Sequence, residues 1–455
     1  MTETENTLLT NKHILLCLDE DMKYNESVEN FRYIEQHYVK ELENIKKNFC
    51  GIVYSDTESF IKHIYQPDTI IYMCGDIYKI INEYYKNVLK EKNNVKILVV
   101  AEFAFNCEIY GNEQYDVINM GEVPLNINNV GVYFRNLFSE NYFTSINEEH
   151  KFQELTESNK PSNAFRKGIY LSKVENVKST DNTDKSDKTN NELKFNLLRC
   201  SSNLDGPTDN FRKTDIKIIN QVNGISKSLF SEEAELNHVL AQIYENKTII
   251  TDTKTVERKS KIKEHSDKTK DMPRNGLMAF CTFYKDYSYD SDTNFNFNPD
   301  IKINKSKTDS FDYCYNDTSI LTRLRFRLKK TVADRSLIEK FDITLYPNSV
   351  FIMSLSANRL YTHEIIPSIL SLDKIPTRMG YVIRCSKTKA VYKDKDNQTY
   401  IVEDGNNYVK LEEADDEGVK KLKEVYFKEN VSDELITYDK FHFSMNNGDY
   451  LQPNL

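Results

Sequence analysis

The sequence predicts an α/β domain followed by an antiparallel β-sandwich or barrel, and three observations carry that expectation. From residue 12 to about 150, short aliphatic runs alternate with longer polar segments compatible with helices. From about 190 onward the segments become short, strand-rich and punctuated by turn signals. Between these regions lies the polar, low-complexity stretch "KSTDNTDKSDKTNNE", residues 178–192, which has no aliphatic residue to anchor it and reads as a disordered insertion.

The N-terminal runs are "HILLCL", "GIVYS", "TIIYMC", "VKILVVA" and "YDVINM". Strands separated by helices argue for a parallel sheet covered on both faces, a Rossmann-like or flavodoxin-like α/β domain over residues 1–155. Such sheets bind ligands beyond the carboxyl ends of their strands, where Asp19, Glu20, Asp21 and Asp76 fall. These are also ordinary turn and cap residues, so a scaffold role, or the docking of a protein partner, stands beside a ligand site. With no G-x-G-x-x-G, no Walker-type Gly-Lys-Ser/Thr and 13 glycines in 455 residues, phosphate binding is disfavoured.

The second domain is expected over 156–400, with the runs "HVLAQIY", "GLMAFCTFY", "LTRLRFRL", "FDITLYPNSVFIMSL", "RLYTHEI" and "RMGYVIRC" as its strands. Pro347-Asn348 marks a turn. Residues 401–455 read as a C-terminal extension, in which "EEADDEG" starts an exposed helix.

Composition bounds the function. Hydrophobic residues make up 39% and charged residues 29%, ordinary for a globular chain that buries real cores. The sequence has no apolar run long enough for a membrane span and no secretory signal, so an intracellular location, cytoplasmic or nuclear, is expected. The eight cysteines are scattered without a C-x-x-C and read as buried, reduced thiols. The whole chain carries a net charge of −9, yet residues 241–390 hold 26 Lys and Arg against 18 Asp and Glu. A basic core with acidic flanks suits a polyanionic partner.

The chemistry gathers in that basic region. "KIKEHSDKTKDMP", residues 261–273, sets His265 two positions from Asp267 ahead of the strand "GLMAFCTFY", and His363 follows in "RLYTHEI". Two imidazoles and one carboxylate are the donor set of a facial triad that leaves adjacent positions open on a non-haem Fe(II). In "RMGYVIR" the strand period of two puts Arg378, Gly380, Val382 and Arg384 on one face. Interior guanidiniums need a carboxylate, from a ligand or from acidic residues such as Glu364 or Asp373, and Gly380 leaves room for a ligand. In "RLRFRLKK" the same period aligns Arg323, Arg325 and Arg327, either as a solvated sheet surface or as a phosphate contact. His13, His37, His63, His150 and His442 read as packed or surface residues.

The elements "QIY" at 242–244, "HSD" at 265–267, "LYPNSVFIMSLSANRLYTH" ending at His363, and "RMGYVIR" at 378–384 occur in an order that resembles the Fe(II)- and 2-oxoglutarate-dependent dioxygenases, and among them the AlkB-like nucleic acid demethylases. The resemblance covers roughly residues 235–392. It implies a double-stranded β-helix (jelly-roll) oxygenase domain, iron held by His265, Asp267 and His363, and O2 as oxidant. It also implies 2-oxoglutarate contacted by Tyr244 and gripped at its distal carboxylate by Arg378, with Arg384 near the active centre. Gln242 stands where the family often has asparagine, and the segment between Tyr244 and His265 is longer than is usual there. The implied reaction couples decarboxylation of 2-oxoglutarate to hydroxylation of a C–H bond, and on an N-methyl base of single-stranded DNA or RNA formaldehyde would follow. The lysines around "EHSD" and the aromatic-rich "FYKDYSYDSDTNFNF" at 283–297 are expected to face that polyanion. A protein or small-molecule hydroxylase on the same iron core, or a catalytically silent binding module, is the alternative.

Overall fold

The computed structural model describes residues 5–18, 36–63, 66–80, 95–105, 115–157, 160–161, 165–178, 191–198, 204–250, 254–285, 318–403 and 407–455. Asp19, Glu20, Asp21, nearly all of the 178–192 insertion and most of the aromatic-rich 283–297 stretch lie outside the described residues. The chain is a mixed α/β molecule rich in strands.

The five N-terminal runs form five strands, His13–Cys17, Ile52–Tyr54, Ile70–Asp76, Lys96–Phe105 and Asp116–Ile118. Numbered in chain order they lie 2-1-3-4-5 and every pair is parallel. This is a doubly wound order whose crossing point lies between the first and third strands. The apolar residues of these strands divide between two clusters, one holding Ile14, Leu16, Ile71 and Met73, the other Leu15, Cys17, Tyr72 and Cys74. Alternate side chains thus bury opposite faces, as continuous apolar runs require.

At Leu125, well before residue 155, the chain passes into a nine-stranded sheet. Its main path runs Asp209–Asn210, Arg166–Ser172, His238–Tyr244, Arg378–Arg384, Leu277–Tyr284, Ser349–Ser354, Gly131–Phe134 and Leu125–Ile127. A second sheet of four antiparallel strands is ordered Ile262–His265, Tyr361–Ile366, Arg323–Leu328 and Lys340–Thr344. The two sheets share one core, in which Met278, Phe280, Phe351 and Met353 of the large sheet meet Leu324, Phe326, Ile343 and Tyr361 of the small one. Asn348 makes the turn into Ser349–Ser354 with φ of 59°, a left-handed backbone that Asn tolerates better than most residues. A further antiparallel sheet runs from Glu175–Lys178 to Asn407–Lys410.

The opposite face of the large sheet packs on the helix Lys213–Leu229, where Ile218, Ile219 and Val222 meet Ile169, Val239, Ala241, Cys281 and Ile383. A buried polar network sits at this interface. Both ring nitrogens of His150 meet carboxylates, Nδ1 with Asp209 at 2.8 Å and Nε2 with Asp215 at 2.7 Å. The Tyr381 hydroxyl donates to the other oxygen of Asp215 at 2.7 Å. With both nitrogens engaged, His150 carries its charge as a structural cation, in keeping with its expected packed role. His13 is also buried, while His63 bonds to Tyr54 and His442 to Glu403.

Burial disfavours the His150 cation, but Asp209 and Asp215 outweigh burial and raise its pKa from 6.5 to about 9. A folded-state pKa above the unfolded one contributes stability that is complete below about 6.5 and lost as the pH rises through about 9. The His150 contribution to stability is therefore expected to fall between these values, by an amount corresponding to about 3 kcal/mol. A His150→Gln variant should lack that slope. Parallel melts of the two proteins across this range check the assignment, and an identical slope in both would overturn it.

Candidate metal centre and adjoining cavity

His265 ends the strand Ile262–His265, Asp267 follows in the loop, and His363 comes from the neighbouring strand, where it is the register partner of His265. The three side chains offer ligand atoms that all lie within 4.8 Å of one another. His265 Nε2 is 3.6 Å from Asp267 Oδ1, and the two imidazole rings are 4.5 Å apart between centroids. Because a carbonyl can only accept, the 2.9 Å bond from His265 Nδ1 to the Lys263 carbonyl places the proton on Nδ1 and leaves the Nε2 lone pair directed at the cluster.

The electrostatics suit a cation. Burial opposes the charge on Asp267, but Arg384 with the two histidines holds its carboxyl far below the usual carboxylate range. Burial, with His265 beside it, pushes His363 down to about 3. At neutral pH the cluster is therefore a carboxylate with a neutral His363, the protonation state a metal requires. His363 Nδ1 and Asp267 Oδ2 are buried without a hydrogen-bond partner among the described residues. The donor set and these unsatisfied atoms fit a divalent first-row metal.

The cluster opens onto a cavity of about 270 Å³. The strand alternation expected for "RMGYVIR" is present: Met379, Tyr381 and Ile383 enter the helix-side core, while Arg378, Gly380, Val382 and Arg384 line the cavity. Arg384 Nε lies 3.4 Å from Asp267 Oδ2. Arg378, 4% exposed, stacks on Tyr244 with its Cζ 3.9 Å from the ring centroid. Among the described residues its Nε and Nη2 have no hydrogen-bond partner. The acidic residues weighed as their structural partners are engaged elsewhere, Glu364 with Arg325 and Arg327, Asp373 with Lys374. Gly380 is small for a reason, since a Cβ there would stand 3.0 Å from Arg378 Nη1 and 3.2 Å from the Tyr244 ring. Gln242 lines the cavity beside Tyr244 and accepts its hydroxyl proton at 3.1 Å.

Two sequence expectations need correction. Lys268 does not face outward: its ammonium donates to the carbonyls of Ser266 and Tyr426 at 3.1 Å each and to Asn430 Oδ1 at 2.5 Å. The Lys270 side chain is 5% exposed and lies against Asp271. Lys261 and Lys263 do face solvent. On the outer face of the small sheet, Arg323 and Arg325 share Asp342, and Arg327 pairs with Glu364 and Glu264. That row is a cross-strand ion-pair ladder, the surface form of the two readings.

Sequence reasoning missed the residues that hold the loop carrying Asp267. Asn358 accepts from the Asp267 amide and donates to the Asp267 carbonyl, each at 3.0 Å. The helix Asp416–Val431, begun by Asp415 capping the Gly418 amide at 2.6 Å, supplies the opposite side. There Asn430 accepts from the Ser266 amide at 2.9 Å and Glu429 accepts from the Thr269 amide at 3.1 Å. No short motif signals such contacts between residues this far apart in sequence.

No protein-family model matches the sequence, and no curated protein matches it. The structure is similar to a prolyl-4-hydroxylase from Pseudomonas putida with a TM-score of 0.20 and 9% sequence identity, over 47% of this chain and 78% of that one. Among the described residues, no helix is long and apolar enough to cross a membrane.

Asn358→Ala should strip the buried Asp267 backbone of both partners, at a cost of about 1–3 kcal/mol for buried groups left unpaired. Hydrogen exchange at the Asp267 amide should accelerate while the amides of Arg378–Arg384 stay protected. Unchanged exchange at Asp267 would show that Asn358 does not hold the loop.

Proposed function

We propose that this protein is an Fe(II)- and 2-oxoglutarate-dependent dioxygenase built on a double-stranded β-helix. One observation carries the reading: His265, Asp267 and His363 gather at one end of a cavity that is also walled by the buried guanidinium of Arg378, which no carboxylate among the described residues matches. A metal and a dicarboxylate would satisfy both features at once. His265, Asp267 and His363 would hold the iron, and Arg378, with Tyr244 and Gln242 beside it, would hold the distal carboxylate of 2-oxoglutarate. With O2, these groups would supply oxidation of a C–H bond coupled to release of succinate and carbon dioxide.

The chain's own residues prepare that chemistry. Arg384 keeps Asp267 ionised, and the Lys263 carbonyl fixes the His265 tautomer. Phe280, Leu324, Leu345 and Ile365 give the cavity apolar walls, which exclude water from the reacting groups. The finer reading is oxidative demethylation of N-methylated bases in single-stranded DNA or RNA, supported by the basic balance of residues 241–390 and by exposed Lys261 and Lys263. Hydroxylation of a protein or small molecule is the second reading. It is favoured by the inward turn of Lys268 and Lys270 and by the carboxylates that neutralise Arg323, Arg325 and Arg327.

Anaerobic titration with Fe(II) is expected to give one bound metal per wild-type chain, and His363→Ala should lose stoichiometric binding while still unfolding cooperatively. Undiminished binding in that variant would overturn the metal centre. Arg378→Ala should keep its iron and lose affinity for 2-oxoglutarate, by about 2–5 kcal/mol if a buried charged partner is left unpaired. Formaldehyde release from a panel of methylated oligonucleotides would support the demethylase. Active 2-oxoglutarate decarboxylation without any formaldehyde would leave the hydroxylase.

A further inference from the structure

The large sheet places its residues in rows across the strands. Arg166 pairs in register with Tyr244, Tyr244 with Arg378, and Arg378 with Tyr284. At the metal end of the same strands the row is Ser172, His238, Arg384 and Met278. The cavity therefore has one cation at its metal end in this sheet, Arg384, and two at its far end, Arg166 and Arg378, one on either side of Tyr244. All three arginines line it.

The charges do not balance at the far end. Asp267 is the single carboxylate among the described residues lining the cavity, and Arg384 stands against it. Arg166 forms no hydrogen bond or ion pair with another described residue through its guanidinium, and its Nε is buried without a partner. Glu154 and Glu245, the nearby acids, are both taken by Lys167. Neighbouring strands lie about 4.8 Å apart, so two residues separated by one intervening strand have backbones about 10 Å apart. Arginine side chains can close that gap on a shared anion, each offering a planar fork of donors.

We propose that Arg166 is the second arm of an anion clamp, gripping from the other side of Tyr244 the same distal carboxylate that Arg378 holds. This rests on the oxygenase reading and adds to it a residue outside every motif that suggested that reading. Tyr244 is the spacer between the two arms: its ring carries the Arg378 guanidinium on one face, and its hydroxyl donates to Gln242. Two guanidiniums on one carboxylate make the cavity selective for 2-oxo acids that bear a second negative group.

Calorimetric titration of the full chain loaded with redox-silent Mn(II) tests the clamp, with 2-oxoglutarate and with 2-oxobutanoate, which lacks the distal carboxylate. Arg166→Gln is expected to weaken 2-oxoglutarate about tenfold, the order of one lost charge-assisted hydrogen bond. It should leave 2-oxobutanoate unchanged, which also shows the variant to be folded, and Arg166→Lys should recover part of the loss. If Arg378→Ala weakens 2-oxoglutarate while Arg166→Gln binds it like the wild type, the clamp is overturned and the oxygenase reading stands. If Arg166→Gln weakens both acids equally, its effect is structural and the clamp is again overturned. Failure of the wild type to bind 2-oxoglutarate would overturn both readings together.

Discussion

Two guanidinium groups buried on one face of a single strand, Arg378 and Arg384, set the terms for the rest of the cavity. A buried cation without an opposing charge is costly, so everything nearby can be read as an answer to these two. Arg384 is answered from within the chain by Asp267, and that carboxylate is in turn one of the cluster facing the cavity. Arg378 is answered by the face of an aromatic ring, which attracts a cation without neutralising it. Among the described residues, one end of the strand is thus matched by a charge of opposite sign and the other is not.

The same strand also anchors the opposite side of the sheet. Tyr381, between the two arginines in sequence, points the other way and donates to Asp215, which is bound in turn to His150. Each neighbouring residue of Arg378–Arg384 thus serves a different layer, one facing charge and the other closing a polar network under the helix Lys213–Leu229. A one-residue slip in its pairing would exchange the two sets and bury every group against the wrong partner. The register is held on both sides by full ladders to His238–Tyr244 and Leu277–Tyr284.

Much of this was legible in the sequence because it depends on local periodicity. The alternation of "RMGYVIR" gave the correct faces, the five N-terminal runs gave five strands, and the spacing within "HSD" set His265 at the end of its strand beside Asp267 in the loop that follows. Other parts depend on tertiary contacts that no local pattern encodes. Lys268 looks like any solvated lysine until the helix Asp416–Val431 brings Asn430 and the Tyr426 carbonyl against it. Asn358 sits in an unremarkable "SLSANRL", and its value lies in reaching the backbone of Asp267. Arg166 escaped because nothing near it in sequence is unusual; its meaning comes from lying two strands away from Arg378 in the same row.

The passage of the chain from one sheet to the other has a consequence for how the protein can be divided. Gly131–Phe134 covers the edge of Ser349–Ser354 along four register pairs, and Leu125–Ile127 covers it in turn. A fragment that began after these strands would present an apolar strand with its backbone donors and acceptors bare, a template for pairing with other chains. The parallel sheet and the cavity-bearing sheets are consequently not interchangeable parts. In recombination between genes, a crossover falling between residues 125 and 155 would separate an edge from its cover.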